Sequence, residues 1–146
     1  MTTVLVYGTL KRGGYNHHLL EKAEYIGEAT VRGFRLYRMG GFPAASRSWV
    51  EPRVFGEVFR VTPEQLARLD QLEGVAAGWY RRQVVQTEAG DAVSMYTMTA
   101  AQVAGREAVK GGVWPVGRTS LQRAAEALED EWPEKVTNTE EAGSWE

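Results

Sequence analysis

The run VLVYGTLKRGGYN, residues 4–16, constrains this chain more than any other stretch. It opens on Val4, Leu5, Val6 and Tyr7, apolar on successive positions, which is the pattern of a strand buried on both faces. A central strand is therefore expected over residues 3–7. The run breaks at Gly8 and continues through Thr9, Lys11, Gly13, Gly14 and Asn16. A buried strand that feeds a polar, glycine-bearing loop can present backbone N–H groups to a ligand. Gly8, Gly13 and Gly14 permit close approaches that a Cβ would obstruct.

The loop has the two outer glycines of a phosphate-binding loop, Gly8 and Gly13. However, Gly14 and Tyr15 stand where that motif needs Lys followed by Ser or Thr. This argues against nucleotide binding of the P-loop kind. Spacing alone leaves two readings open: a plain strand-to-helix turn, or a loop that binds an anion or a carbonyl.

The rest of the chain reads as short strands and helices. Asn16 is expected to cap a short helix over 17–23, with Leu19 and Leu20 inward. Residues 25–38 read as two short strands or one long bent one, interrupted at Gly33. Residues 40–45, GGFPAA, read as a turn that places Phe42 and Pro43 at a surface. A strand over 53–61 is apolar on both sides, which suggests a barrel or a covered sheet.

Thr62-Pro63-Glu64-Gln65 is the clearest helix start. Thr62 is a good N-cap, Pro63 suits the first helical position and Gln65 completes a capping box. Leu66, Leu69 and Leu72 form the apolar stripe, and Gly74 is available to end the helix. Residues 80–88 and 91–98 read as a hairpin turning at Ala89-Gly90. Residues 99–110 mix helix formers with Gly105 and stay ambiguous, and 111–115 read as a loop. Thr119 would cap a last helix over 120–132. The expected organisation is one domain over 1–132 and an acidic, flexible tail over 133–146.

Composition matters mainly for what it removes. A chain of 146 residues can bury a real core. Its net charge of −2 gives no support to nucleic acid as the main partner. The absence of cysteine removes disulfides, thiol nucleophiles and cysteine metal sites. His17 and His18 are the two histidines, and adjacent residues diverge on a helix, so a metal site would need carboxylates to finish it. No metal or other cofactor is expected. There is no signal-peptide pattern, and no apolar run nears the roughly 20 residues of a membrane span. The expectation is a soluble cytoplasmic protein with no membrane partner; oligomeric state is not readable.

Glu73 is the strongest candidate for chemistry. A carboxylate at a helix C-terminus sits near the negative end of the dipole, which disfavours its charged form and raises its pKa. That suits a general base working near neutrality. Asp70, three residues earlier, can share its helix face and reads as a capping or structural hydrogen-bond residue. Glu57, inside an apolar strand, needs a partner if it points inward, with Arg35 or Arg81 the candidates. Arg81 and Arg82 read as solvated or ion-paired. Most of the aromatics (Tyr7, Tyr37, Phe42, Trp49, Trp79, Tyr80, Tyr96, Trp114) are expected in the core.

Two motifs carry a family resemblance. YGTLKRGGYNHHLL, from Tyr7, and LDQLEG, residues 69–74, resemble in order the two signatures of the gamma-glutamyl cyclotransferase-like family, which includes gamma-glutamylamine cyclotransferase and the AIG2-like proteins. The likeness runs from about residue 4 to 98, with a looser echo at 111–114. It implies an α+β fold, a small mixed or antiparallel barrel with a few short helices. It also implies release of 5-oxoproline and a free amine from a small gamma-glutamyl amine or amide, without a cofactor.

By the same resemblance Glu73 is the catalytic acid/base, and Tyr7, Gly8, Thr9 and Leu10 cradle the glutamyl end. GWYRRQVV places Tyr80 near the cavity, with Tyr96 lining it from the next strand. GGFPAA is similar to the family's loop at the cavity mouth, where Phe42 and Pro43 shape substrate access. Two alternatives stay open: a non-catalytic module binding a small ligand or peptide, and an amide hydrolase or acyltransferase using the same glutamate.

Overall fold

The computed structural model describes residues 1–50 and 52–116. These residues form β1 (Thr2–Val6), β2 (Glu24–Arg32), β3 (Phe34–Arg38), β4 (Pro43–Arg47), β5 (Arg53–Val61), α1 (Pro63–Leu72), β6 (Arg81–Gln86), β7 (Ala92–Thr97) and α2 (Ala100–Val103). One mixed sheet runs in the order β2-β5-β1-β7-β4-β3, and β6 pairs with β7. The α+β class matches the expectation. The expected barrel does not close, because β2 and β3 end the path without pairing to each other. Gly33, at φ 87°, is the corner between them and sends the chain from one end of the sheet to the other.

The centre of the sheet holds the feature that positions the site. β1 runs antiparallel to β5 with Val4 opposite Phe59, and parallel to β7 with Val4 opposite Ser94. β4 is also parallel to β7, with Ala45 opposite Thr97. Since β6 occupies the whole other edge of β7, β1 and β4 share one edge and diverge along it. Tyr7 fills the fork. Its hydroxyl accepts a hydrogen bond from Ala45 N–H at 3.0 Å and donates to Tyr96 C=O at 2.6 Å. A side chain thus stands in for a strand's peptide group where the ladder parts.

Alternation along β1 buries both faces of the sheet. Val4 and Val6 join a cluster with Leu10, Leu20, Phe59, Leu69, Tyr80, Tyr96 and Met98. Leu5 and Tyr7 join a second cluster with Val31, Phe34, Leu36, Val54, Val58, Met95 and Trp114. The apolar-on-both-sides reading of residues 3–7 and 53–61 follows from this arrangement.

Helix α1 begins as its sequence requires. Thr62 Oγ1 accepts from Gln65 N–H at 3.1 Å, and Gln65 Oε1 accepts from Thr62 N–H at 2.8 Å. Glu73 closes the helix, and Gly74 follows at φ 66°. A Cβ at Gly74 would also meet the Trp79 ring at 2.7 Å, so chain reversal and close packing both demand glycine there. The hairpin β6–β7 turns at Gly90, as read from the sequence.

Two local expectations are corrected and two are made specific. Residues 43–47 are strand β4, buried from Pro43 to Ser46, rather than part of a surface turn. Small residues at 44–46 carry little strand propensity of their own; pairing with β3 and β7 makes the strand. The helix after Asn16 is a single 3₁₀ turn, His17–Leu20, and Asn16 makes no side-chain cap to it. The ambiguous stretch begins with α2, where Thr99 and Gln102 form a second capping box. Trp49 and Trp79 lie exposed, at 87% and 61%, outside the core. The helix read over 120–132 and the tail over 133–146 lie outside the described residues, as does Glu51.

Candidate active site

A cavity of about 340 Å³ opens between the end of β1, the loop after it, the start of β4 and the end of α1. Tyr7, Gly8, Thr9, Leu10, Phe42, Pro43, Glu73, Tyr80 and Tyr96 all line it. Every residue picked from sequence for the site is therefore gathered around one space. Phe42 is half-buried and Pro43 buried, so both belong to the wall.

The loop side is built from backbone. Lys11 N–H donates to Gly8 C=O at 3.1 Å, Gly14 N–H to Lys11 C=O at 2.7 Å, and Asn16 N–H to Thr9 C=O at 2.9 Å. Asn16 Nδ2 adds a bond to Thr9 Oγ1 at 3.0 Å, which is what its side chain does in place of capping. A Cβ at Gly14 would overlap the Thr9 carbonyl, and one at Gly8 would sit 2.8 Å from Pro43 Cγ. Both glycines are steric requirements of the coil. Among the described residues, the N–H groups of Gly8, Thr9 and Leu10 donate to no protein acceptor while their residues line the cavity.

Charged anchors hold this loop from behind. Glu57 accepts from Arg12 N–H at 2.8 Å and pairs with the Arg12 guanidinium at 3.5 Å. Its partner is thus Arg12, and the expected Arg35 and Arg81 are not engaged by it. The Arg12 guanidinium stacks 3.9 Å above the Tyr25 ring. Lys11 is buried and donates from Nζ to Trp114 C=O at 2.7 Å. Burial lowers its pKa, against the opposing pull of Glu57 and Glu28. His17 Nδ1 lies 2.9 Å from Leu10 C=O, and its ring packs on Phe59. That leaves His17 tied into the scaffold. No cluster of three or more metal-ligating side chains occurs among the described residues.

The helix side supplies the carboxylates. Glu73 is half-buried, with its carboxyl on the cavity. Burial raises its pKa to about 8, and the charge of Asp70 adds to the effect. The direction matches the sequence argument, but the causes are enclosure and a like charge rather than the helix end. Asp70 behaves oppositely. Burial would raise it, but hydrogen bonds from Arg82 and Tyr96 and the guanidinium charge outweigh that and hold it below the usual carboxylate range. Arg82 meets it in a fork, Nε to Oδ1 at 2.9 Å and a terminal nitrogen to Oδ2 at 3.0 Å. Tyr96 OH donates to Oδ1 at 2.6 Å.

The tyrosines complete the wall. Tyr80 OH donates to Pro43 C=O at 2.6 Å, tying the segment after α1 to β4. Burial pushes the Tyr7 and Tyr96 hydroxyls well above the ordinary tyrosine range, and a charged Glu73 would push both further. Each hydroxyl stays neutral. Besides Leu5, Val6 and Asn16 near the end of β1, the sequence reading missed the lining residues Gln71, Leu72, Gly74, Ala77, Trp79 and Met98. Gly74, Ala77 and Trp79 belong to the reversal after α1, where a bond from Trp79 N–H to Gly74 C=O at 3.1 Å closes the turn. The helix-stop signal at Gly74 was the available clue to that turn.

Comparison with known proteins agrees with this layout. The family model described as gamma-glutamyl cyclotransferase, AIG2-like, matches residues 4–116. The chain is 33% identical over 111 residues to the gamma-glutamylcyclotransferase family protein YtfP of Escherichia coli (strain K12), covering 76% of this chain and 94% of that one. Its fold is similar to an uncharacterized protein from Pyrococcus horikoshii, with TM-score 0.64 and 27% identity over 77% of this chain and 89% of that one. It is also similar to an AIG2-like protein from Mus musculus, with TM-score 0.57 and 26% identity over 82% and 98% of the two chains. With the strand, loop and glutamate in place and the model spanning residues 4–116, the chain belongs to the gamma-glutamyl cyclotransferase, AIG2-like family.

Proposed function

We propose that this protein is a gamma-glutamyl cyclotransferase that converts a small gamma-glutamyl amine or amide into 5-oxoproline and a free amine, with Glu73 as general acid/base. One observation carries the reading. A carboxyl whose pKa burial raises to about 8 shares a cavity with three backbone N–H groups that have no protein acceptor among the described residues.

The N–H groups of Gly8, Thr9 and Leu10 hold the glutamyl end and stabilise the oxyanion that develops on the γ-carbonyl. Glu73, as carboxylate, takes a proton from the substrate's α-amino group, which reacts as the neutral amine, while that nitrogen attacks the γ-carbon and closes a five-membered ring. The tetrahedral intermediate then collapses, the bond from carbon to the leaving nitrogen breaks, and Glu73 returns the proton to the departing amine. The attack is intramolecular, so a wall that fixes the substrate's conformation supplies much of the acceleration. The half-buried carboxyl suits both proton transfers, since a pKa near the working pH serves acid and base alike.

The test is an oxoproline assay on a panel of gamma-glutamyl amines, amino acids and peptides, with wild type and Glu73→Gln. Oxoproline from wild type and a loss of about 10²–10⁴-fold in the variant is the expected result. Free glutamate in place of oxoproline would assign a hydrolase instead. Binding of panel members with no product at all would leave a binding module.

A further inference from the structure

Glu73 is surrounded by a small set of groups that can carry charge. From its own helix comes Asp70, one turn back. Tyr7 faces it from the end of β1 and Tyr96 from β7, and both hydroxyls are committed, Tyr7 to Ala45 and Tyr96 C=O, Tyr96 to Asp70. Tyr80, after α1, is committed to Pro43 C=O. Arg82, on β6, reaches this neighbourhood through Asp70. The titratable residues of the loop and of the 3₁₀ turn after it, Lys11, Arg12, Tyr15, His17 and His18, do not line the cavity, and Glu57 on β5 faces Arg12.

Asp70 is held in a way that Glu73 is not. Its two oxygens accept three hydrogen bonds, two from one guanidinium and one from a tyrosine whose ring is cavity wall. A carboxylate so held is ionised and fixed in place. The planar fork leaves it little freedom to turn toward the substrate. It does not line the cavity. Its influence on the reaction therefore passes through Glu73 and Tyr96.

We propose that Asp70 is a positioning residue: clamped by Arg82 and Tyr96, it keeps a permanent negative charge one helical turn from Glu73 and sets the pH at which Glu73 exchanges its proton. Arg82 is the counterweight, cancelling part of that charge through the salt bridge. The two residues thus act in opposite directions on the same group, although they form one salt bridge. This inference rests on Glu73 being the proton-transfer group of the proposed reaction.

The opposition makes the test sharp. In Asp70→Asn the negative charge is gone, so Glu73 ionises more readily and the acid limb of the kcat/KM profile moves to lower pH. In Arg82→Gln the charge of Asp70 is less compensated, so the acid limb moves to higher pH. A merely structural salt bridge would lower activity in both variants and move the limb in neither, or move both the same way; either outcome overturns the proposal. Carbon NMR titration of the Glu73 carboxyl in both variants gives the same readout without turnover. Shifts of opposite sign there uphold the charge relation even if no gamma-glutamyl compound yields oxoproline, in which case the failure lies with the reaction assigned to the site. Thermal melts of both variants confirm that the titrations are read on folded protein.

Discussion

The two faces of the sheet are built from the same strands and do different work. On one face Leu5, Leu36, Val54 and Met95 fill the space between β1, β3, β5 and β7 with fully buried apolar side chains. On the other, Val4, Val6, Leu10 and Phe59 are also buried, but Val6 and Leu10 line the space that Glu73, Tyr80 and Tyr96 enclose. The first face is core apart from Leu5 and Tyr7, which also reach the cavity. The second trades packing for a cavity and must therefore satisfy buried polar groups one by one. The same strand, β1, supplies both, which shows that periodicity assigns a residue to a face but not a purpose to the face.

Substitutions on the two faces should separate stability from activity. Leu36→Ala, on the filled face, should cost about 2–5 kcal/mol in chemical denaturation, as buried leucine truncations do. At a temperature where the variant is folded, its kcat should stay within about twofold of wild type, because no cavity group depends on it; a large kcat loss would show that the faces are mechanically coupled. Tyr7→Phe tests the junction between them. It leaves the Ala45 N–H without its acceptor in a buried fork, a cost of about 1–3 kcal/mol, and also lowers activity by loosening the β4 wall. Full activity in that variant would mean the fork does not hold the cavity.

Acid-base behaviour distinguishes the faces next. Folding raises the Glu73 pKa from 4.5 to about 8, so between those values the native state binds more protons than the unfolded one. This contribution to stability therefore falls as pH rises through that window, by at most about 1.4 kcal/mol per pH unit. Glu73→Gln should remove the slope and melt higher than wild type at pH 8.5, even as it loses turnover. The smallest effect belongs to Thr62→Ala at the far end of α1. Loss of the capping box should cost about 1 kcal/mol in urea unfolding. KM should be unchanged if the start of the helix is independent of the end that carries Glu73.

The sequence disclosed the parts of the fold that are specified locally. The capping box at Thr62, the stop at Gly74, the turn at Gly90 and the glycines after β1 act over a few residues, and each lies where it was read. Strand β4 was illegible because Ala44, Ala45 and Ser46 are strand only by virtue of partners at residues 34–38 and 97. The site divides the same way. Glu73 and the loop donors were legible because their motifs are contiguous. Glu57 was given the wrong partner because its contact with Arg12 spans 45 residues of chain. The clamp on Asp70 joins residues 12 and 26 positions away, across an α-helix and two strands. No periodicity reports such a meeting.

Tyr7 also bears on how experiments at this site are to be read. Its hydroxyl replaces a peptide group at the point where two strands part, so the position has the tolerance of a main-chain atom rather than of a side chain. Phenylalanine lacks the oxygen, and tryptophan or histidine would present a hydrogen-bonding atom at the wrong reach. A residue of this kind is required by architecture as firmly as a nucleophile is by chemistry. Inactivity after its replacement measures whether the fork is still shut before it says anything about a proton.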